Sequence, residues 1–426
     1  MEKEIFVYAE LNGVSHLVGR LWGRVRKNRE SASFEYDEHW LKNPERFALE
    51  PALKLGPGPY HTAADRRLFG EIGDSAPDRW GRVLMRRAER RRAERENVAP
   101  RTLWEIDYLL MVDDEARQGA LRFAAEEGGE FLAQEGTAKI PPLVDLPHLL
   151  AASERVVAGA DSDEDLRLLL APGSSLGGAR PKASVRDKDG HLAIAKFPHK
   201  DDEINAVLWE AVALALAQKA GLAVPEWRVE TVLEKPVLVL RRFDRQDGTR
   251  IPFLSAMSML GAKDNEQRSY LEFVDALRIY GAAPKEDIHA LFRRVILNIL
   301  ISNTDDHLRN HGFLYDGPDG WRLAPAYDLN PVPVDIKPRV LSTAIDLDDG
   351  TASLVLALEV AAYFELKPEQ ARKIAAEVGS MVVGWRDIAA QVSLSKAEID
   401  RMASAFEHED LESACSQTAD IPQENL

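Results

Sequence analysis

Apolar and polar positions alternate in twos near the start of the chain. Ile5, Val7 and Ala9 share one face, and residues 16–22 and 32–36 continue as strands. A loop rich in Pro and Gly around 56–59 interrupts this pattern, and the period then lengthens. Trp80, Val83, Leu84 and Ala88 recur near helical spacing and predict a helix over 79–97. A second helix is expected over 103–112 and a strand over 119–123. Residues 124–142 are rich in Gly and Glu and read as loop, ahead of helices over 143–157 and 162–171.

The pattern changes again near residue 172. A Gly-rich turn leads to strands over 182–187 and 191–197, then an Ala-rich helix over 202–220 with Gly221 where a helix C-cap belongs. Strands over 226–233 and 236–243 follow. From about 266 the chain reads as helical, interrupted by a polar region over 303–350 and resumed over 353–363, 367–391 and 395–407. From Asp410 onward it reads as a frayed polar tail. A dinucleotide-binding fold would need strands and helices to alternate throughout, and here alternation stops after 243. The order instead predicts an α+β protein with two kinase-like lobes, a small one with a sheet and one helix and a mostly helical large one. The boundaries drawn are an N-terminal domain over 1–140, a small lobe over 141–245, a large lobe over 246–409 and a tail over 410–426.

Composition adds bounds. Hydrophobic residues make up 45% of the 426 positions, enough for a sizeable core. The excess of 70 acidic over 54 basic residues, a net −16, argues against nonspecific nucleic-acid binding by the whole surface. The single cysteine, Cys415, allows no internal disulfide and fits a reducing cytosol. The first residues lack a basic region followed by an apolar run, and no apolar run is long enough to span a bilayer, so a cytoplasmic protein without membrane contact is expected.

The polar region carries the chemistry. Asp305 is followed five places later by Asn310, and a further carboxylate, Asp328, comes after a short expected hairpin. Transfer of the γ-phosphate of ATP needs such a set: a carboxylate to orient the attacking hydroxyl, and an amide oxygen and second carboxylate for Mg²⁺. An acidic turn would account for the cluster but not for the later Asp. Asp306 leaves open which neighbour acts, and spacing favours Asp305. His307 and His311 stand four apart, a zinc-like spacing, but no Glu follows the first; His307 is read as a brace of the loop on the ATP side. Upstream, the turn holding Gly177, Gly178, Ala179 and Lys182 could aim backbone N–H groups at phosphate, or be a plain turn. Lys196 stands where a kinase lysine contacts the α- and β-phosphates. Glu210 could pair with it or be a solvated helix residue. Arg241, Phe243 and Asp244 end the strand read as the hinge, with Asp244 near the ribose; an edge strand ending in a charged turn is the plainer alternative. Residues 79–101 hold nine arginines, readable as a contact to nucleic-acid phosphate or an acidic protein, or as a helix whose interspersed glutamates pair along it.

At these residues the sequence resembles the HipA family of bacterial serine/threonine kinases, the toxins of HipA–HipB-type pairs. The resemblance rests on residues 175–182, 196–198, 242–245, 305–310 and 325–331, and in the N-terminal part on 77–82 and 118–123. It implies a kinase-like fold with an N-terminal α/β domain packed on it, Asp305 as the catalytic residue, Asn310 and Asp328 on Mg²⁺, and Lys196 on phosphate. It further implies self-inactivation by autophosphorylation at Ser175 or the adjacent Ser174, and a protein substrate of the aminoacyl-tRNA synthetase type. The implied partners are a helix-turn-helix HipB-like antitoxin and, through it, operator DNA. A pseudokinase acting as co-repressor and a small-molecule kinase are the rival readings.

Overall fold

The computed structural model describes residues 2–133, 140–173 and 178–417. The chain divides into two compact units, one of residues 1–201 with 230–261, the other of 202–229 with 262–426.

In the first unit, β1 (Glu2–Leu11), β2 (Val14–Arg26) and β3 (Arg29–Tyr36) form an antiparallel meander. Asn12 and Gly13 turn the first corner with φ of 52° and 78°, the left-handed pair a two-residue hairpin requires. With β4 (Tyr60–His61) and β5 (Leu121–Ala124) the sheet order is β4–β3–β2–β1–β5. Helix α1 (Arg79–Glu96) starts where Asp78 accepts the Gly81 N–H at 2.7 Å and stops at left-handed Asn97. Two more helices, α2 (Leu146–Ala158) and α3 (Asp163–Gly173), precede a second sheet of β6 (Lys182–Arg186), β7 (Leu192–Lys196), β8 (Trp227–Val232) and β9 (Lys235–Arg241), ordered β6–β7–β9–β8.

One hydrophobic cluster joins Trp80 and Leu84 of α1 to Leu149 and Leu150 of α2, Leu166 of α3 and the sheet residues Val185, Ala195 and Val239. The core therefore runs across the boundary drawn at 140. Trp80 also donates its indole N–H to the Lys182 carbonyl at 3.0 Å, which ties α1 to β6.

In the second unit, α4 (Ala206–Lys219) buries eleven of its fourteen residues and has no solvent face. Trp209 lies 6.0 Å from both Trp385 and Phe406, which stack on each other at 4.4 Å. Aromatic packing thus places the 202–220 helix with the helical unit, whereas the drawn boundaries gave it to the small lobe. The helix expected over 367–391 breaks near Gly384 into two helices, Pro368–Val382 and Trp385–Gln391. Nor does the chain fray from Asp410. Glu409–Ser416 is a helix, because Leu411 and Ala414 are buried and Gly379 leaves room for Ala414; a Cβ on Gly379 would meet the Ala414 Cβ at 2.8 Å. Cys415 sits in this helix, half-buried. No helix among the described residues is long and apolar enough to cross a membrane.

The first unit also buries carboxylates. Glu50 accepts the Glu71 N–H at 2.9 Å, and Glu71 is buried with neither carboxylate oxygen hydrogen-bonded among the described residues. Burial, with Asp74 nearby, pushes the Glu50 carboxyl up to about 7. A raised folded-state value means that the unfolded chain releases this proton first. The stabilisation is therefore complete below about 4.5 and lost as pH rises through about 7. Unfolding free energy measured by urea titration is expected to fall by about 3 kcal/mol across that window from this group. Glu50→Gln should flatten the slope; an unchanged slope in the variant would refute the assignment.

Candidate active site

Two helices of the second unit frame the polar region: Tyr270–Tyr280 and Pro284–Leu300. Ser269 and Glu272 close a capping box on the first, and Pro284 with Glu286 and Asp287 suits the start of the second. Pro284–Leu300 ends in a buried turn that is apolar except for Asn298. Ser302 takes φ of 51°, and the chain doubles back with the Asn303 N–H on the Asn298 carbonyl at 2.9 Å. Thr304 is buried, so the loop leaves the core only at Asp305, which is exposed. A single turn at Leu308–Asn310 follows, held by the Asn310 N–H on the His307 carbonyl at 2.8 Å. The Asn310 side-chain amide donates to the Asp305 carbonyl at 2.7 Å. The expected hairpin is present as β10 (Gly312–Tyr315) and β11 (Trp321–Leu323), with Phe313 opposite Leu323. It delivers Asp328, whose φ of 57° is left-handed. Asn330 donates its side-chain amide back to the Asp328 carbonyl at 3.0 Å.

The two adjacent carboxylates occupy opposite environments. Asp306 is 1% exposed and accepts the Tyr270 hydroxyl and, at 2.7 Å, the Ser342 N–H. Burial pushes its carboxyl up to about 6, opposed by those hydrogen bonds. Its side chain is spent inside the fold, whereas Asp305 faces outward. His311 is buried edge-on against the Tyr270 and Phe273 rings at 5.4 and 5.3 Å. Burial, reinforced by Arg294, holds its imidazole down at about 3, so it is neutral. His307 is half-buried, and its Nδ1 has no hydrogen-bond partner among the described residues.

A divalent ion would find oxygen donors here in one way. Among the described residues no group of three or more His, Cys, Asp or Glu side chains is arranged to hold a metal. The Asn310 amide nitrogen is committed to the Asp305 carbonyl, which leaves its oxygen as the acceptor, and Asp328 supplies a carboxylate. Few protein oxygens, completed by phosphate and water, suit Mg²⁺.

The upstream candidates divide between the units. Ser174, Ser175 and Gly177 lie outside the described residues. Gly178 has φ of 99°, and it and Ala179 are exposed. Lys196 ends β7, half-buried, and Glu210 is buried in α4. Arg241 ends β9, and the Phe243 ring lies 6.3 Å from that of Phe253. Two assignments are corrected. Lys182 is 3% exposed, with its ammonium 3.0 Å from Asp78, so its charge serves a buried ion pair. Asp244 is likewise enclosed. It accepts Arg242 Nε, Arg245 Nη1 and the Gly119 N–H, each at 2.8 Å, and a second Arg242 nitrogen. At 3% exposure, its charge is matched inside the fold by these four donors. Gly119, at φ of 72°, approaches so closely that a Cβ would meet the Phe253 nitrogen at 3.2 Å.

The arginine run resolves mostly into internal pairing. Arg82 clamps Glu105 through two 2.7 Å bonds, Arg87 pairs with Asp161, Arg95 reaches Asp163 at 2.9 Å, and Arg92 and Arg101 converge on buried Glu89. Arg79, Arg86 and Arg90 are exposed without an ion-pair partner among the described residues. Their spacing puts them along one line of α1.

Sequence reasoning missed Tyr270, Asn298 and Asn303, which support the loop from behind. The available signal was Asn298, an amide in an otherwise apolar run from Val295 to Ile301.

Comparison with known proteins places these features in context. Residues 15–105 match the profile of the HipA N-terminal domain, and residues 174–385 that of the HipA-like C-terminal domain. A protein provisionally named kinase Y4mE from Sinorhizobium fredii is 27% identical over 348 residues, 73% of this chain and 75% of the relative. One from Haemophilus influenzae, also provisionally named a kinase, is 24% identical over 201 residues, 41% of this chain and 56% of the relative. The fold is similar to that in a complex of HipA, HipB and operator DNA from Shewanella oneidensis, with a TM-score of 0.66, 15% identity and 97% of each chain covered.

Proposed function

Since the chain belongs to the HipA family, we propose that it is an ATP- and Mg²⁺-dependent serine/threonine protein kinase, the toxin half of a toxin–antitoxin pair in the cytoplasm. The observation that carries this reading is the pairing of an outward Asp305 with Asn310, whose amide is fastened to the Asp305 backbone at 2.7 Å. In the proposed site Asp305 orients the acceptor hydroxyl, and Lys196, Gly178 and Ala179 contact the phosphates of ATP from the small lobe of a two-lobe kinase. His307, whose Nδ1 has no hydrogen-bond partner among the described residues, and Arg241 and Phe243 complete the proposed ATP-side set. Asn310 and Asp328 would hold Mg²⁺, which when bound neutralises charge on the transferring phosphate.

The proposed protein substrate is an aminoacyl-tRNA synthetase, whose phosphorylation would stop translation. Self-inactivation would follow phosphorylation of Ser175 or Ser174, since close to two added negative charges repel the triphosphate from the loop that must cradle it. A HipB-like antitoxin and operator DNA are the proposed partners. The Shewanella neighbour is assembled with both, and exposed Arg79, Arg86 and Arg90 offer phosphate contacts.

Purified chain incubated with γ-labelled ATP, Mg²⁺ and a cell lysate is expected to label itself and one synthetase-sized protein, identifiable by mass spectrometry. Label found only on small metabolites would favour the small-molecule kinase. No Mg²⁺-dependent transfer at all would sink the kinase reading.

A further inference from the structure

Behind the candidate catalytic loop, buried polar side chains form a continuous line. The Asn330 N–H donates to Asn303 Oδ1 at 3.1 Å. Asn303 Nδ2 donates to Asn298 Oδ1 at 3.0 Å, and Asn298 Nδ2 to the Tyr270 hydroxyl at 3.0 Å. The Tyr270 hydroxyl donates to Asp306 Oδ2, and Asp306 Oδ1 accepts the Ser342 N–H at 2.7 Å. Tyr270, Asn298, Asn303 and Asp306 are each at most 2% exposed. From Asn330 to Asp306 every bond runs the same way, each side chain accepting from one neighbour and donating to the next. Reversing one amide would therefore break two bonds, so the line behaves as a unit.

The ends of the line are informative. Asn330 stands two residues after Asp328 and turns its own side chain back onto the Asp328 carbonyl at 3.0 Å. Asp306 lies between Asp305 and Asn310. It also anchors the segment after Asp328 through Ser342, whose hydroxyl reaches the Thr304 carbonyl at 2.8 Å, as does Lys337 Nζ. The line therefore joins the two loops that carry the candidate metal ligands.

We propose that Tyr270, Asn298 and Asn303 are positioning residues, holding the Asp305–Asn310 loop and the Asp328 loop in one fixed arrangement through this relay to Asp306. Its catalytic consequence rests on the kinase reading; its structural consequence does not.

The test compares wild type with Tyr270→Phe, which keeps the ring, and with Asn303→Ser, which is too short to span the gap. Amide hydrogen exchange is the first readout. Tyr270→Phe is expected to speed exchange at both Asn330 and Ser342 by ~10-fold, leaving Phe292 to Ile296 unchanged. Faster exchange at Ser342 alone, or equally throughout the unit, overturns the relay. Kinetics are the second readout. Each variant is expected to raise the Mg²⁺ concentration for half-maximal transfer by ~10-fold and lower kcat, with little change in nucleotide affinity in EDTA. The double variant should be no worse than the more damaging single one, and additive losses would overturn the coupling. Wild type without phosphoryl transfer would refute the kinase reading, while the exchange experiment would still decide for or against the relay.

Discussion

Asp305→Asn is expected to reduce phosphoryl transfer by roughly 10²–10⁴-fold, the usual worth of a positioned acid–base group. It should move the unfolding free energy by no more than about 0.5 kcal/mol, as surface substitutions do. The structural reason is that the Asn310 amide holds the Asp305 backbone carbonyl, not its carboxylate. The substitution therefore leaves the loop tied while removing the negative charge that would orient a hydroxyl. Initial rates with labelled ATP, beside a urea titration of the same preparation, separate the two effects. An active Asp305→Asn enzyme with normal stability would move the catalytic assignment away from this residue. Asp306→Asn offers no such separation, because its carboxylate is part of the buried structure.

Asp244→Ala is expected to have the opposite signature, a loss of about 3–5 kcal/mol of stability with no selective change in KM for ATP per folded molecule. Arg242 is wholly buried and Arg245 nearly so, and both charges are neutralised by this one carboxylate. Burial would raise the Asp244 carboxyl, but the two guanidiniums and the Gly119 N–H more than offset it and hold it well below the ordinary carboxylate range. A depressed folded-state value gives stability that is present above the unfolded value near 3.8 and lost as pH falls below it. Denaturant unfolding at neutral pH, with ATP dependence measured on the remaining folded enzyme, checks the prediction. A raised KM at unchanged stability would return Asp244 to the ribose.

The two substitutions mark what could be read from sequence and what could not. Strand and helix positions were legible because their period is local. Ile5, Val7 and Ala9 do line a buried face, and the 79–97 helix is found at Arg79–Glu96 between an Asp cap and a left-handed Asn. The helix Glu409–Ser416 was not legible. Its polar residues look like a tail, and only the fit of Ala414 against Gly379 gives its few apolar side chains a surface. The arginine run was ambiguous for the same reason. Its charges read alike in sequence, but Glu105, Asp161 and Asp163 arrive from elsewhere to pair with most of them.

The order of residues by itself determined the periodic elements, the apolar core positions and the Asp305, Asn310 and Asp328 spacing, all set within a few turns of chain. Tertiary structure decided which polar groups face outward. Asp305 and Asp306 are neighbours of identical chemistry, and only the approach of Tyr270 and Ser342 makes one a buried anchor. Lys182 and Asp244 looked equally available for a nucleotide until Asp78, 104 residues away, and Gly119, 125 residues away, were found against them. A charge in a folded protein is either hydrated or matched by a partner, and folding alone brings partners from so far along the chain.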